Sequence, residues 1–343
     1  MENKLNNIIE SVVKKVILEY GGVSDEIINI SNIIFNKIYR EHRNHSRRTY
    51  FTQDDFNGHK LYGKKFYLDI NDSEEIMNVV QEVAVQLYYY DTINEDYASL
   101  FEFLNSHRMI SNYFSPSDRM IRLTFPWPND DRFDANSRTT ILSTINHEVK
   151  HAFQDSREGG HFISSQYIKA DKEQDREIGY NKEADTPSKV LVDYYIPWIY
   201  YRLHRREIDA WLQEMYIQGI ENSDIKETKI YKMLAETIKD YNNLKRWYSS
   251  NDKYYTNQKI KDYIDNSIKR IDSPKSYFAM CDRNIGYLKK KMRRVIGRWY
   301  EEKGITNGSF KQYSSNEISQ SLPFNTQKKN RNRWKNMLRK FFS

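Results

Sequence analysis

A single cysteine, Cys281, stands in 343 residues. A lone thiol forms no internal disulfide and builds no cysteine-based structural zinc site, so nothing here calls for an oxidising compartment. Glycine (12) and proline (7) are scarce, which disfavours a turn-rich β architecture and favours long helices. No stretch approaches the ~18 apolar residues that a membrane span needs. The first twenty residues, MENKLNNIIESVVKKVILEY, have no uninterrupted apolar core and no small-residue cleavage site. They read as an amphipathic helix and not as a signal peptide. The expected location is cytoplasmic, or a particle assembled in cytoplasm.

What is abundant is tyrosine (27) and charge (29% of the chain), beside 38% hydrophobic residues. That is a soluble globular balance, in a chain long enough for one large domain or two ordinary ones. The formal net charge of +7 is unevenly placed. From Cys281 to Ser343 there are sixteen basic and four acidic residues, a net +12, which leaves the first 280 residues near −5.

Apolar residues at three-to-four spacing predict helices over 3–20 and 25–40. Residues 40–58 are polar and read as loop. Lys65–Ile70 alternates and reads as a strand, and 73–90 reads as a helix with Glu74 and Glu75 in its first turn. Met120–Pro126 reads as a strand, stopped by the proline-rich run that overlaps its end. A helix is expected from Asn136 or Ser137 to about Asp155, then an exposed charged loop over 171–189. A second strong helix should run unbroken from Trp198 to Gly219, with Pro197 at its start and Gly219 as its stop. Helices are expected over 223–303, a polar linker over 304–326 and a basic amphipathic segment over 327–343.

One motif names a chemistry. His147-Glu148-Val149-Lys150-His151 has the H-E-x-x-H spacing, which places two imidazoles one above the other on a helix. They can then share one Zn²⁺ while the glutamate reaches an adjacent water. At ~100° per residue, Ile141, Ile145, Val149 and Ala152 fall on one side. Thr140, Thr144, His147, His151 and Gln154 fall on the other, so an apolar face backs a face that carries both histidines. The competing reading is a solvated helix that happens to hold two histidines.

Such a site needs a third protein ligand. Glu207 lies on the second strong helix among Tyr200, Leu203, His204, Trp211 and Glu214. A carboxylate in apolar and aromatic company is costly to bury unless a cation compensates it. That cation is either zinc or an arginine such as Arg202 or Arg206.

His147-Glu148-x-x-His151 followed by helical Glu207-x-x-Ala210 resembles the gluzincin class of zinc metallopeptidases. The surrounding I-N-H-E-x-x-H-A-F-Q is similar to peptidases encoded by bacteria and their phages. The resemblance covers about residues 60–220 and is specific only at the ligands. It implies zinc ligands His147, His151 and Glu207, with Glu148 as general base and Ala210 as the small residue that lets two helices approach. It also implies a fold: an α+β, predominantly α-helical protein. A zincin-like active-site helix pair with a small β-sheet would be followed by a helical C-terminal region. The expected parts are an N-terminal helical segment (1–58), a zincin-like catalytic domain (59–222), a C-terminal helical region (223–303) and a linker with a basic tail (304–343).

The chain departs from the pattern after Ala210. Many gluzincins carry an acidic residue there, and this chain has Trp211. Asp155 or Glu214 is then expected to orient a ligand histidine. Two rival third ligands stay open. His161, in R-E-G-G-H, loosely resembles a DNA–protein-crosslink protease arrangement, and His204 lies one turn before Glu207. A metzincin would need histidine at 157, where Arg157 stands.

The implied activity is hydrolysis of peptide bonds in a peptide or protein substrate. Glu148 would assist attack of a zinc-bound water and pass the proton to the leaving amine. Tyr200, His204, Tyr194, Tyr195 and Tyr201 are candidate oxyanion partners. The strand Met120–Pro126 is a candidate edge for a substrate strand. The alternative function is a nucleic-acid-binding or virion structural protein whose H-E-x-x-H helix is vestigial or structural. Its signal is basic: Lys289, Lys290, Lys291, Arg293, Arg294 and Arg298, then a tail of basic residues interleaved with Trp334, Leu338, Phe341 and Phe342. These fit nucleic acid, an anionic membrane surface, or docking on protein.

Overall fold

A computed structural model of the chain describes residues 23–44, 49–56, 59–68, 79–92, 95–107, 109–158, 169–170, 196–249 and 258–304. The expected helix at 3–20, the loop at 171–189, most of the linker and the basic tail lie outside the described residues, as do His161, Tyr194 and Tyr195. The fold is predominantly helical with one small mixed sheet, the class expected. No described helix is long and apolar enough to cross a membrane. The chain divides into two compact units, Met1–Phe162 with Asp209–Thr228, and Ile163–Ile208 with Lys229–Ser343.

The first unit opens with helix α1 (Asp25–Asn44), followed by strands β1 (Thr49–Phe56), β2 (His59–Leu68) and β3 (Glu82–Tyr90). Helix α2 (Tyr97–Ser106), the short strand β4 (Tyr113–Ser115) and strand β5 (Met120–Pro128) lead to helix α3 (Ala135–Glu158). The sheet order is β1-β2-β3-β5-β4. Only β3 and β5 run parallel, and the other pairs are antiparallel. A parallel neighbour needs a crossover, which α2 and β4 supply.

Two expectations fail here. Residues 82–90, assigned to a helix by their spacing, form the central strand β3. EVAVQLYYY is buried on both faces, so it reads as a nearly continuous apolar run without the strict alternation of a half-exposed strand. Part of the polar 40–58 loop is strand β1, which pairs with β2 at Phe56↔His59. This strand is an edge of the sheet, a position where polar sequence is ordinary.

The core lies between the sheet and two helices. Ile27, Ile30, Ile34 and Ile38 of α1 pack with Ile141, Ile145, Val149 and Ala152 of α3 and with Val83, Val85, Leu87, Ile121, Leu123 and Phe125 of the sheet. Each such aliphatic side chain contributes about 1.5–3 kcal/mol by leaving water. The connection from β5 to α3 is pinned to α1. Asp131, at a positive φ of 59°, accepts from Arg43 (2.9 Å) and Trp127 Nε1 (3.3 Å) and pairs with His42 Nε2 at 2.9 Å. Asp134 then caps α3 by accepting from the Ser137 amide at 2.7 Å, two or three residues before the expected caps.

Strand β5 was expected to be an open edge. Its first residues instead pair with β4 (Tyr113↔Arg122, Ser115↔Met120), and the Thr124 amide donates to Asn112 Oδ1 at 2.6 Å. Backbone directions alternate along a strand, so the nitrogens of Pro126 and Pro128 share the outward side with that of Thr124. Neither has a hydrogen. Beyond Thr124 the outer side of β5 offers acceptors and no donor.

In the second unit, residues 196–202 are helical, and helices α5 (Lys229–Ser249), α6 (Gln258–Lys269) and α7 (Pro274–Glu302) follow. Helix α4 (Arg205–Glu221) belongs to the first unit from Asp209 onward. The single helix expected over 198–219 is therefore broken at Leu203 and His204. In an unbroken helix the Leu203 carbonyl would accept from the Glu207 amide. Here the buried Asn284 of α7 donates to that carbonyl at 2.8 Å. The next turn starts afresh, with the Ile208 amide donating to the His204 carbonyl at 2.9 Å.

Candidate metal centre

The break decides where Glu207 stands. It falls in the first turn of α4, where a carboxylate is favoured by the unpaired amides and the helix dipole. Its side chain is fully buried, at 0% exposure. Ala210 and Gln213, on the following turns, are buried as well.

Helix α3 meets α4 through polar side chains. Ser143 Oγ lies 3.4 Å from Glu214 Oε1, and Gln218 Nε2 donates to the same oxygen at 3.2 Å. Gln213 Nε2 donates to Asn146 Oδ1 at 3.3 Å, while Gln213 Oε1 accepts from the Ser24 amide at 2.9 Å. The histidine-bearing side of α3 is thus covered: His147, Glu148 and His151 are all buried.

One nitrogen or oxygen from each of His147, His151 and Glu207 lies within 4.8 Å of the others. The two Nε2 atoms face each other at 3.1 Å. Their outer nitrogens each lie near a polar side chain. His147 Nδ1 lies 3.3 Å from Glu214 Oε2, and His151 Nδ1 lies 3.0 Å from Gln154 Oε1. With its proton on Nδ1, a neutral imidazole has a lone pair on Nε2, the form that binds a metal. Two Nε2 atoms 3.1 Å apart beside a buried carboxylate form a cluster of donor atoms in which a cation would be well placed. Two histidine nitrogens on a tetrahedral zinc stand about 3.3 Å apart. The donor set, its spacing and its burial therefore fit a divalent metal ion.

The other sequence candidates are placed as follows. Glu148 is buried beside His147 in the chain, outside the three-residue group. His204 is half-buried at the start of α4 and is not in the group. Glu214 approaches a histidine as expected. Asp155 does not take that part: its Oδ1 is buried without a hydrogen-bond partner, and Gln154 meets His151 instead. Tyr200 is buried against Tyr277, with ring centres 5.5 Å apart, and burial pushes its hydroxyl above the ordinary tyrosine range. Tyr201 stacks on Trp198 at 5.9 Å.

Sequence reading missed four participants. Gln154 was placed on the right helical side, and its spacing of three from His151 was the available signal. Trp211 was noted only as a departure from a pattern, and its indole lies 4.3 Å from the His147 ring. Ser143 and Gln218 steady Glu214 from two helices, and no local spacing announces that. The chain matches no protein-family model, no curated protein and no solved structure.

Proposed function

We propose that this chain is a zinc-dependent peptidase that hydrolyses peptide bonds in a peptide or protein substrate. The observation that carries the proposal is the buried grouping of His147 Nε2, His151 Nε2 and the Glu207 carboxylate, with the two nitrogens 3.1 Å apart. In this reading His147, His151 and Glu207 hold the ion. When bound, zinc lowers the pKa of a coordinated water toward neutrality and polarises a carbonyl. Glu214, 3.3 Å from His147 Nδ1, and Gln154, 3.0 Å from His151 Nδ1, would hold the Nδ1 protons outward so that both rings present Nε2 to the centre. Trp211 covers one side of the His147 ring and keeps water from it.

Glu148 takes the remaining role, supported by its place between the histidines and its burial. It accepts a proton from the attacking water and passes it to the leaving amine. This division of labour agrees with the resemblance to gluzincins, and Glu214 stands in for the acidic residue that Trp211 displaces. A strand-like substrate finds few backbone donors on the outer side of β5, so any edge pairing falls to β4.

Elemental analysis of the purified protein, together with hydrolysis of an unfolded protein substrate, tests the proposal. One zinc per chain is expected. Glu148→Gln should keep the zinc and lose about 10²–10⁴ in rate. Protein without a transition metal, or a Glu148→Gln variant with undiminished hydrolysis, would overturn the assignment.

A further inference from the structure

Helix α7 gathers like charges on one face. From Arg283 to Arg298 it carries seven lysines and arginines and no acidic residue. Lys289 with Arg293, Lys290 with Arg294, and Arg294 with Arg298 are like charges four apart, an arrangement that destabilises a helix. The neighbouring helix α6 does the opposite, placing Asp265 four residues before Lys269 at 3.9 Å. On α7 the acidic residues lie outside the stretch. Asp282 is engaged by Lys245 at 2.6 Å, and Glu302 by Arg298 at 2.8 Å. Lys289, Lys290 and Arg293 have no hydrogen bond or ion pair among the described residues.

The face is also smooth at its middle. Gly286 is exposed in the helix interior, and a Cβ built there would meet nothing within 4 Å. Neither packing nor a positive φ calls for glycine, which weakens a helix relative to alanine. Ala279, Arg283, Gly286, Lys290, Arg293 and Arg294 fall within an arc of about 100° on the helix. All six are exposed.

We infer that this arc is a docking surface for the phosphate backbone of a nucleic acid. Charge complementarity selects a polyanion. The opposite arc rules against a membrane surface: Tyr277, Leu288, Val295 and Trp299 are buried in the second unit, and α7 exposes no large apolar side chain. A helix lying on a bilayer needs an apolar face to insert. An acidic protein partner fits less well, because protein interfaces centre on buried aromatic or aliphatic anchors and this arc has none. Exposed cations around a glycine gap, Lys290 and Arg293 foremost, suit a row of phosphates, which the helix backbone approaches closely at Gly286. The inference stands apart from the metal centre and does not depend on it.

The test measures binding of the full chain to a short DNA duplex, to an RNA duplex and to vesicles of phosphatidylcholine with phosphatidylserine, across a salt series. Arg283, Lys290, Arg293 and Arg294 meeting four phosphates predicts a slope of log K against log salt of about −3 to −4 on a duplex. Replacing all four by Gln should flatten most of that slope and cost at least about tenfold in affinity near 0.1 M salt. The charge-keeping variant Arg283→Lys with Arg293→Lys and Arg294→Lys should retain binding, which separates lost charge from lost folding. The inference is overturned by absence of duplex binding, by a slope that the Gln variant leaves unchanged, or by vesicle binding without duplex binding.

Discussion

Glu207 and Glu214 on α4 are buried, whereas Arg283, Lys290 and Arg293 on α7 stand in solvent. The buried acids are surrounded. Glu214 has His147, Ser143 and Gln218 about it, and Glu207 shares its space with two imidazoles. The exposed bases are surrounded mostly by one another. Both arrangements are unfavourable for the chain by itself: one removes charge from water, the other sets like charges side by side. Each becomes favourable once a counter-charge arrives. For the α3–α4 centre the proposed counter-charge is a small cation inside the fold, and for α7 it is a polyanion outside it.

The comparison breaks most visibly at the metal ligands. His147→Ala or Glu207→Ala should abolish stoichiometric zinc, a loss well beyond the ~10–100-fold typical of an outer-shell change. Retention of zinc by Glu207→Ala would remove that glutamate from the site. Glu214→Gln should fall in the ~10–100-fold range itself, read as zinc affinity by competition with a chelator. An unchanged affinity would reduce Glu214 to a packing residue.

On α7 the expected effects run the other way, toward greater stability. Gly286→Ala should stabilise the protein by about 1 kcal/mol, seen as a higher urea midpoint with unchanged slope. A destabilised variant would mean that the glycine serves packing after all. Arg293→Gln, which removes the repulsion from Lys289, should add a few tenths of a kcal/mol, diminishing as salt rises. A clear loss of stability there would show that Arg293 has a partner within the fold.

How much of this was legible in the sequence depends on how local its cause is. Two histidines four apart and the apolar row Ile141, Ile145, Val149 and Ala152 are set by one helix, and the structure follows the wheel. Glu207 was legible as a carboxylate in apolar company, because its neighbours lie on the same helical segment. The hairpin of β1 and β2 had a signal that was passed over. Phe56 pairs with His59, and the two residues between them are Asn57-Gly58, a strong hairpin dipeptide. Strand β3 was not readable by period, since burial on both faces erases the alternation on which period depends. The break before α4 was not readable at all: the Leu203 carbonyl that it frees is met by Asn284, 81 residues away in the chain. Likewise, the support of Glu214 comes from a serine on α3, 71 residues earlier.

Pro126 and Pro128 have a consequence for how the protein behaves among its own copies. A nine-residue strand with a bare hydrogen-bonding border invites another strand to add to it, which is how sheets aggregate. The strand β4 covers only three residues of that length. Over the rest, the prolines leave an arriving strand with carbonyls to meet and almost no amide to return the bond. The border beyond β4 is thereby closed to self-association twice over, by its missing amides and by the burial of Pro126, Trp127 and Pro128.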